Sequence, residues 1–340
     1  MRLAVIGLGM ASKPHLAALK RLAGTVEVAG VTNRNGARRQ KVADQFGWPC
    51  FVDIDAICNC ETVDGAIIIT PPNARHEIVD KLSAAGKHIL MEKPVERSFE
   101  NARRIVDLCE KREVALGIVF QHRFRAGAVA LRDLIQSKRL GDIYLARVTV
   151  PWWRDQSYYD QDGRGQYDSD GGGVLITQAI HVLDLMLSLT GPVSSVVALK
   201  GTTPLHQMEA EDFASAGLRF ESGAMGSIVA TTASFPGSAE TLELDTQHAA
   251  LRLTAGELVV HWRNGETDKF GEVTGTGGGS DPMDFPCDWH QSLIADFAAN
   301  WQAGTPPSVT GRSALNVHAL IDAIERSAQS GRQENVETLV

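Results

Sequence analysis

The 340-residue sequence has little cysteine, and its five residues (Cys50, Cys58, Cys60, Cys109 and Cys287) form an odd, scattered set. The nearest pair, Cys58 and Cys60, lacks C-x-x-C spacing, which points to reduced thiols rather than a disulfide framework or a redox motif. No run reaches the roughly 18–20 uninterrupted apolar residues of a membrane span. An apolar leader is missing too, since Met1 and Arg2 run directly into Leu3-Ala4-Val5-Ile6-Gly7. A cytoplasmic protein without a membrane partner is expected. No Lys/Arg block stands out, and 33 basic against 41 acidic residues give a net charge of −8, so nucleic-acid binding has no global electrostatic support. Despite ten histidines there is no H-x3-H, H-E-x-x-H or clustered Cys/His spacing, and no metal is assigned.

What is there is the composition of a globular protein, 44% hydrophobic and 22% charged, at a length that favours two domains, and with the charge balance against polyanions small-molecule work is expected. The first third alternates β-branched runs (3–6, 26–32, 65–70, 88–91, 114–119) with segments of helical spacing (13–22, 36–45, 73–85, 98–111). This is the rhythm of βαβ units in a doubly wound parallel sheet, with Asn73 and Ser98 as expected N-caps. After Phe120 come a helix near 126–137, a strand at 143–150, a polar aromatic loop from Pro151 to Asp170, and a helix at 174–189 that stops at Gly191-Pro192. Strands then follow one another to 262. Glu221-Ser222-Gly223 and Ala255-Gly256 serve as short turns, so an antiparallel sheet is expected. A Gly-rich stretch containing Gly277-Gly278-Gly279 precedes two final helices, near 288–302 and 312–329.

Gly7-Leu8-Gly9-Met10-Ala11-Ser12 follows the first strand and opens the first helix, the context of a dinucleotide fingerprint. Glycines there let the main chain approach a pyrophosphate, whose charge meets the N–H groups of the helix start. Gly7, Gly9, Met10 and Ala11 are the expected contacts, with small Ser12 at the third glycine position; a purely structural turn is the alternative. The second strand ends in Thr32-Asn33-Arg34-Asn35, without the carboxylate that binds ribose hydroxyls, and Arg38 and Arg39 follow. Asn33, Arg34 and Arg38 therefore suit a 2′-phosphate, and NADP is expected ahead of NAD unless these arginines are only a solvated helix face.

Thr70-Pro71-Pro72-Asn73, with His76, and Glu92-Lys93-Pro94 follow the third and fourth strands, at the edge where open α/β sheets bind ligands. Thr70, Pro71, Asn73, His76, Glu92 and Lys93 are thus cofactor candidates. A lysine at that edge can stabilise a developing alkoxide or carry a proton. A helix start, a packed histidine and a surface lysine are the plain structural readings. Further on, Gly171-Gly172-Gly173 leads into a helix on which Thr177 and His181 share a face and Asp184 lies three beyond. His181 can serve as acid or base near neutral pH, or be a core histidine satisfied by Asp184.

The preceding loop carries Trp152, Trp153, Arg154, Tyr158, Tyr159 and Arg164. Aromatic rings stack on a pyranose and arginines bind its carboxylate or phosphate, although such loops also build dimer contacts. Trp153, Arg154, Tyr158 and Arg164, with Arg123 and Gln178, form the expected substrate set, and His122 stands beside Arg123.

Taken in order, Gly7-x-Gly9-x5-His15, Thr70-Pro71-Pro72-Asn73-x2-His76, Glu92-Lys93-Pro94 and Gly171-Gly172-Gly173-x7-His181 resemble the glucose-fructose oxidoreductase, inositol dehydrogenase and rhizopine catabolism (Gfo/Idh/MocA) family. The resemblance covers nearly the whole chain, and Glu92-Lys93-Pro94 is its most specific marker. It implies an α/β fold: an N-terminal Rossmann domain (1–120), then a C-terminal α+β domain (121–310) with a large, open, mainly antiparallel sheet. A final helix (311–340) is expected to pack back on the first domain. It further implies a homodimer or homotetramer through that sheet, and hydride transfer between nicotinamide and a sugar, sugar acid, cyclitol or nucleotide sugar. Lys93 would stand beside the nicotinamide and the reacting oxygen, and His181 would face the same oxygen. Many members carry aspartate where Thr177 stands; threonine supplies no charge, so Lys93 would take the larger share of alkoxide stabilisation. The competing functions are a nucleotide-sensing regulator on the same fold and a self-recycling sugar oxidoreductase that retains its cofactor.

Overall fold

The computed structural model describes residues 1–275 and 286–338, so the Gly277-Gly278-Gly279 patch lies outside the described residues. The chain divides into two compact units: Met1–Phe120 with Cys287–Leu315, and Gln121–Pro286 with Asn316–Val340.

In the first unit, β1 (Arg2–Ile6), β2 (Glu27–Thr32), β3 (Gly65–Ile68), β4 (His88–Glu92) and β5 (Leu116–Val119) form a parallel sheet of order β2-β1-β3-β4-β5. Its strands are covered on both faces, which is why they read as unbroken apolar runs: Leu3, Ala4, Val5, Ile67 and Ile68 have no exposed surface. The crossovers are α1 (Ser12–Arg21), α2 (Gly36–Phe46), α3 (Ile54–Cys58), α4 (Arg75–Ala84) and α5 (Phe99–Lys111). The strand order reverses between β1 and β3, placing a ligand-binding crevice at the ends of these two strands. Ser98 caps α5 by accepting the Asn101 N–H (3.3 Å). Asn73 does not cap α4. It lies within a 3-10 turn, Pro72–Ala74, and α4 starts only at Arg75. Pro72 lacks an N–H, so it suits the first position of that turn and delays the α-helix.

The second unit contains α6 (Ala126–Gln136), β6 (Ile143–Pro151), α7 (Gln156–Tyr159) and α8 (Ile180–Thr190), followed by seven strands. These are β7 (Val193–Gly201), β8 (Phe213–Phe220), β9 (Met225–Thr231), β10 (Thr241–Thr246), β11 (Ala249–Thr254), β12 (Glu257–Trp262) and β13 (Thr267–Phe270). The chain ends in α9 (Asp288–Ala303), α10 (Gly311–Ser330) and β14 (Glu334–Asn335). The sheet order is β13-β12-β11-β10-β6-β9-β8-β7-β14, antiparallel throughout except where β6 runs parallel to β9. One face is apolar, with Leu242 and Leu244 alternating along β10 beneath α8, whose Ile180, Leu183 and Met186 are fully buried. The other face exposes Val197, Leu199, Met225 and Val229.

Besides Asn73, three expectations need correction. The helix expected at 174–189 is π-helical over Leu175–Ala179 before α8 begins. The loop from Pro151 to Asp170 contains the short helix α7, capped by Asp155 accepting the Ser157 N–H (3.0 Å). The segment grouped with the first unit is Cys287–Leu315 rather than 311–340. Within the first unit, α9 packs on α1 through the Arg21–Asp288 ion pair (3.0 Å) and the His15–His290 ring contact. The latter part of α10 instead docks on β7, where Ser327 Oγ accepts the Ala198 N–H (3.0 Å), and β14 extends the same sheet edge. No described helix is long and apolar enough to cross a membrane.

Candidate active site

At the β1/β3 edge the glycine loop is shaped by contact and by openness. Gly7 has φ +97°, and a Cβ there would meet the Ile69 carbonyl carbon at 2.9 Å, so only glycine fits. A Cβ on Gly9 would meet nothing within 4 Å; its face is open space. Ser12 replaces the third glycine without disturbing the turn, its hydroxyl donating to the Gly9 carbonyl (2.7 Å). The N-terminus of α1 has no side-chain cap and no acid in its first turn, leaving its partial positive charge for an anion. Across the crevice Thr70 Oγ1 is buried without a hydrogen-bond partner. An open glycine face, an uncapped helix start and an orphaned hydroxyl on one edge fit a dinucleotide. Met10, Pro71, Asn73 and His76 are exposed along it. At the end of β2, Asn33 contacts the Asn35 carbonyl (3.5 Å) and Asn35 caps α2 by accepting the Arg38 N–H (2.9 Å). Arg39 is tied to the Val52 carbonyl (2.8 Å), whereas Arg34 and Arg38 are exposed.

The Glu92-Lys93-Pro94 turn leaves β4 under tight restraint. Glu92 is buried; His15 Nε2 donates to its Oε1 (2.7 Å) and the Lys93 N–H to its Oε2 (3.1 Å). Burial by itself would raise the Glu92 carboxyl, but the His15 hydrogen bond and the charges of His15, His290 and Lys93 bring it down to about 2. His290, against His15 at a ring separation of 4.8 Å, has its own pKa lowered to about 3, first by burial and then by His15. The donor atoms of His15, Glu92 and His290 all lie within 4.8 Å of one another, a cluster that the spacing of the three residues along the chain does not reveal. On the other side of the turn, buried Arg75 donates through Nη1 to the carbonyls of Glu92 and Pro94, and through Nε to that of Thr70 (2.9 Å). Lys93 itself is half-buried.

In the second unit the triple glycine is dictated by close approach. A Cβ on Gly173 would lie 1.7 Å from the Glu211 carbonyl oxygen. The buried Glu211 carboxylate accepts the N–H groups of Gly173 (3.2 Å) and Leu175 (3.1 Å), capping the π-helical segment. That segment turns the Thr177 hydroxyl onto the Gly173 carbonyl (2.6 Å) and against the buried Gln178 side chain. Asp184 is not the histidine's anchor. Both its oxygens are taken by Arg123, at 2.7 Å and 2.6 Å. Burial works against the Arg123 cation, but Asp184 beside it raises its pKa on balance.

His181 instead stacks on His122, with ring centroids 4.7 Å apart and planes 24° from parallel. Arg125 Nη2 lies 2.6 Å from His122 Nε2, and Glu240 pairs with Arg125. In the aromatic loop, Arg154 is 3% exposed, donates to the Trp153 carbonyl (2.7 Å) and lies 5.4 Å from the Tyr158 ring; Arg164 lies 5.1 Å from the same ring. Two guanidinium groups thus converge on one tyrosine. The loop is pinned by His206, whose Nε2 bonds the Arg154 carbonyl (3.0 Å) and whose Nδ1 bonds Asp212 (2.7 Å). Sequence reasoning missed Arg75, Glu211, Glu240, His206 and Asp212 as supports of the site. A buried charge far along the chain from its partner leaves no local signature.

A Rossmann-type sheet with this glycine turn, joined in one chain to a large mixed sheet, defines a two-part dinucleotide-binding architecture. Residues 1–120 match the model of the oxidoreductase family with an NAD-binding Rossmann fold, and residues 128–278 match the GFO/IDH/MocA C-terminal domain. The chain belongs to the Gfo/Idh/MocA family. Rhizopine catabolism protein MocA of Rhizobium meliloti is 31% identical over 204 residues, spanning 59% of this chain and 62% of that protein. D-apiose dehydrogenase of Paraburkholderia graminis is 26% identical, spanning 99% of this chain and 90% of its own. Among solved structures, the WlbA dehydrogenase of Bordetella pertussis, in complex with NADH and UDP-GlcNAcA, superposes with a TM-score of 0.84 at 28% identity, covering 99% of each chain.

Proposed function

We propose that this oxidoreductase is an NAD(P)-dependent dehydrogenase or reductase whose substrate is a sugar, sugar acid, cyclitol or nucleotide sugar, with an acidic nucleotide sugar as the first class to test. The observation that carries the substrate class is the convergence of two cations on Tyr158 in the aromatic loop, Arg154 and Arg164, the latter also 3.8 Å from Asp170, a concentration of positive charge suited to a carboxylate or phosphate. Similarity to the WlbA dehydrogenase, whose structure holds UDP-GlcNAcA, supports the same choice.

The nicotinamide, when bound, accepts or supplies the hydride. Gly7, Gly9, Met10 and Ala11 hold the pyrophosphate, and Thr70, Pro71, Asn73, His76 and Glu92 line the same edge. Arg34 and Arg38, with no carboxylate at the end of β2, favour NADP. In the oxidative direction the carbinol C–H electron pair leaves as hydride and the O–H proton must go to a base. His181 takes that proton, and the Lys93 ammonium stabilises the alkoxide as it forms. Thr177 orients the helix start without adding a charge. Arg123 acts through Asp184 on the His181 helix, and Gln178 and Trp153 complete the substrate surroundings. The exposed face of the β6–β9 region serves a homodimer or homotetramer.

The test is turnover of neutral sugars, sugar acids, cyclitols and nucleotide sugars with NAD and NADP in parallel, read by nicotinamide absorbance. Acidic substrates are expected to be preferred, and Lys93→Met to lose about 10²–10⁴-fold in kcat. Near-normal turnover by Lys93→Met, with His181→Ala inactive, would reverse the assigned roles.

A further inference from the structure

Arg75 is a buried cation, 3% exposed, whose bonds within the turn run to main-chain carbonyls rather than to a carboxylate. Nε reaches the Thr70 carbonyl at 2.9 Å, Nη1 those of Glu92 and Pro94, and Nη2 that of Lys93 at 3.5 Å. Taking a guanidinium out of water is costly, and burial lowers its pKa to about 10 even with Glu92 and Glu96 nearby. An apolar side chain would fill the same space without that cost, so the charge and its fork geometry require another explanation. The fork reaches three successive carbonyls of the turn at 92–94 and ties them to the end of β3. On the opposite side, the Glu92 carboxylate, itself held by His15, accepts the Lys93 N–H.

We propose that Arg75 is a positioning residue for Lys93: with the His15–Glu92 pair it clamps the main chain on both sides of the lysine, so that only the side chain can move. The clamp rests on the reading of Lys93 as the alkoxide-stabilising group. Its chemistry follows from geometry. A planar fork can hold several carbonyls in fixed directions, whereas a lysine at position 75 presents one point charge and cannot hold them all. A displacement of about 1 Å at a reacting group can cost about 10²-fold in rate.

The experiment compares wild-type protein with Arg75→Lys by hydrogen–deuterium exchange of the peptide covering residues 90–97, with a β1 peptide as reference, and by steady-state kinetics on whichever substrate the panel identifies. In Arg75→Lys, amides 92, 93 and 95 are expected to exchange about tenfold faster while β1 keeps its protection. kcat is expected to fall about 10²-fold, with KM for cofactor and substrate within about threefold of wild type. Unchanged exchange at 92–95, or a raised KM with intact kcat, overturns the clamp. If Arg75→Lys does not fold, Glu92→Gln removes the anionic anchor from the other side and must show the same local exchange and kcat-specific loss, or the proposal fails. Absence of turnover by the wild-type protein on every sugar would overturn the functional reading alone, because the exchange comparison decides the clamp independently.

Discussion

Arg75 in the first unit and Arg125 in the second are buried cations satisfied in opposite ways, while Arg154, also buried in the second, donates to the Trp153 carbonyl. In the first, Arg75 is held by carbonyls of the chain itself, at separations of five to nineteen residues. In the second, Arg123 and Arg125 are neutralised by carboxylates, Asp184 and Glu240, which lie 61 and 115 residues away. Carbonyl bonds fix a local turn. Carboxylate pairs join elements distant in sequence and remove the charge from the field around His181. The difference suits the proposed chemistry, in which the first unit fixes Lys93 in place and the second sets the surroundings of His181.

The largest effect that sharpens this contrast is expected from Asp184→Asn. It leaves the half-buried Arg123 without its carboxylate and should cost about 3 kcal/mol in urea unfolding; replacing both partners by apolar residues should recover most of the loss. A pair whose single and double variants lose equal stability would show that the carboxylate does not serve the cation.

An effect of comparable size separates the two glycine clusters. Gly173→Ala collides with the Glu211 main chain and should cost about 3 kcal/mol, lowering the unfolding midpoint. Gly9→Ala, whose Cβ meets open space, should leave stability within about 0.5 kcal/mol yet weaken NADH binding, measured by fluorescence titration. A Gly9→Ala protein with unaltered affinity would argue against a pyrophosphate at that loop.

Acid stability tests the buried Glu92 and His290 of the first unit. The pKa of His290 is depressed to about 3 in the fold, so its unfolded form binds the extra proton below the ordinary histidine range. Stability is therefore fully present above about pH 6.5 and falls as pH drops toward 3. Glu92, also depressed, adds its own loss from about pH 4.5 down to about 2. Thermal unfolding from pH 7 to 4 should show the decline, and His290→Gln should flatten its upper part. The smallest change is at the rim: Arg38→Ala should reduce the preference for NADP over NAD by about tenfold in kcat/KM, without altering stability.

Much of the first unit is legible along the chain because its devices are local. The glycine turn, the carboxyl-edge motifs and Ser98 as a cap each lie within a few residues of the element they shape. Even there, tandem prolines moved the start of α4 past Asn73, since a 3-10 turn accommodates Pro72 better than an α-helical N-cap does. The second unit is less legible. Thr177, His181 and Asp184 sit at helical spacing, but Glu211 captures the N–H groups ahead of them and a π-helical turn intervenes. Asp184 then finds Arg123 instead of His181, because a charged, bidentate partner is stronger than an imidazole.

By itself the sequence determined the two-part architecture, the parallel sheet and the dinucleotide turn, which follow from periodicity and short-range motifs, while Lys93 and His181 were marked by the family resemblance. Only the tertiary structure decided which charges meet: His15 with Glu92, Arg75 with the Lys93 turn, His122 against His181, and His206 with Asp212 beneath the aromatic loop. The reason is that a buried ionisable group must be satisfied by whatever the fold brings beside it. That choice is made by packing across tens of residues, not by neighbours along the chain.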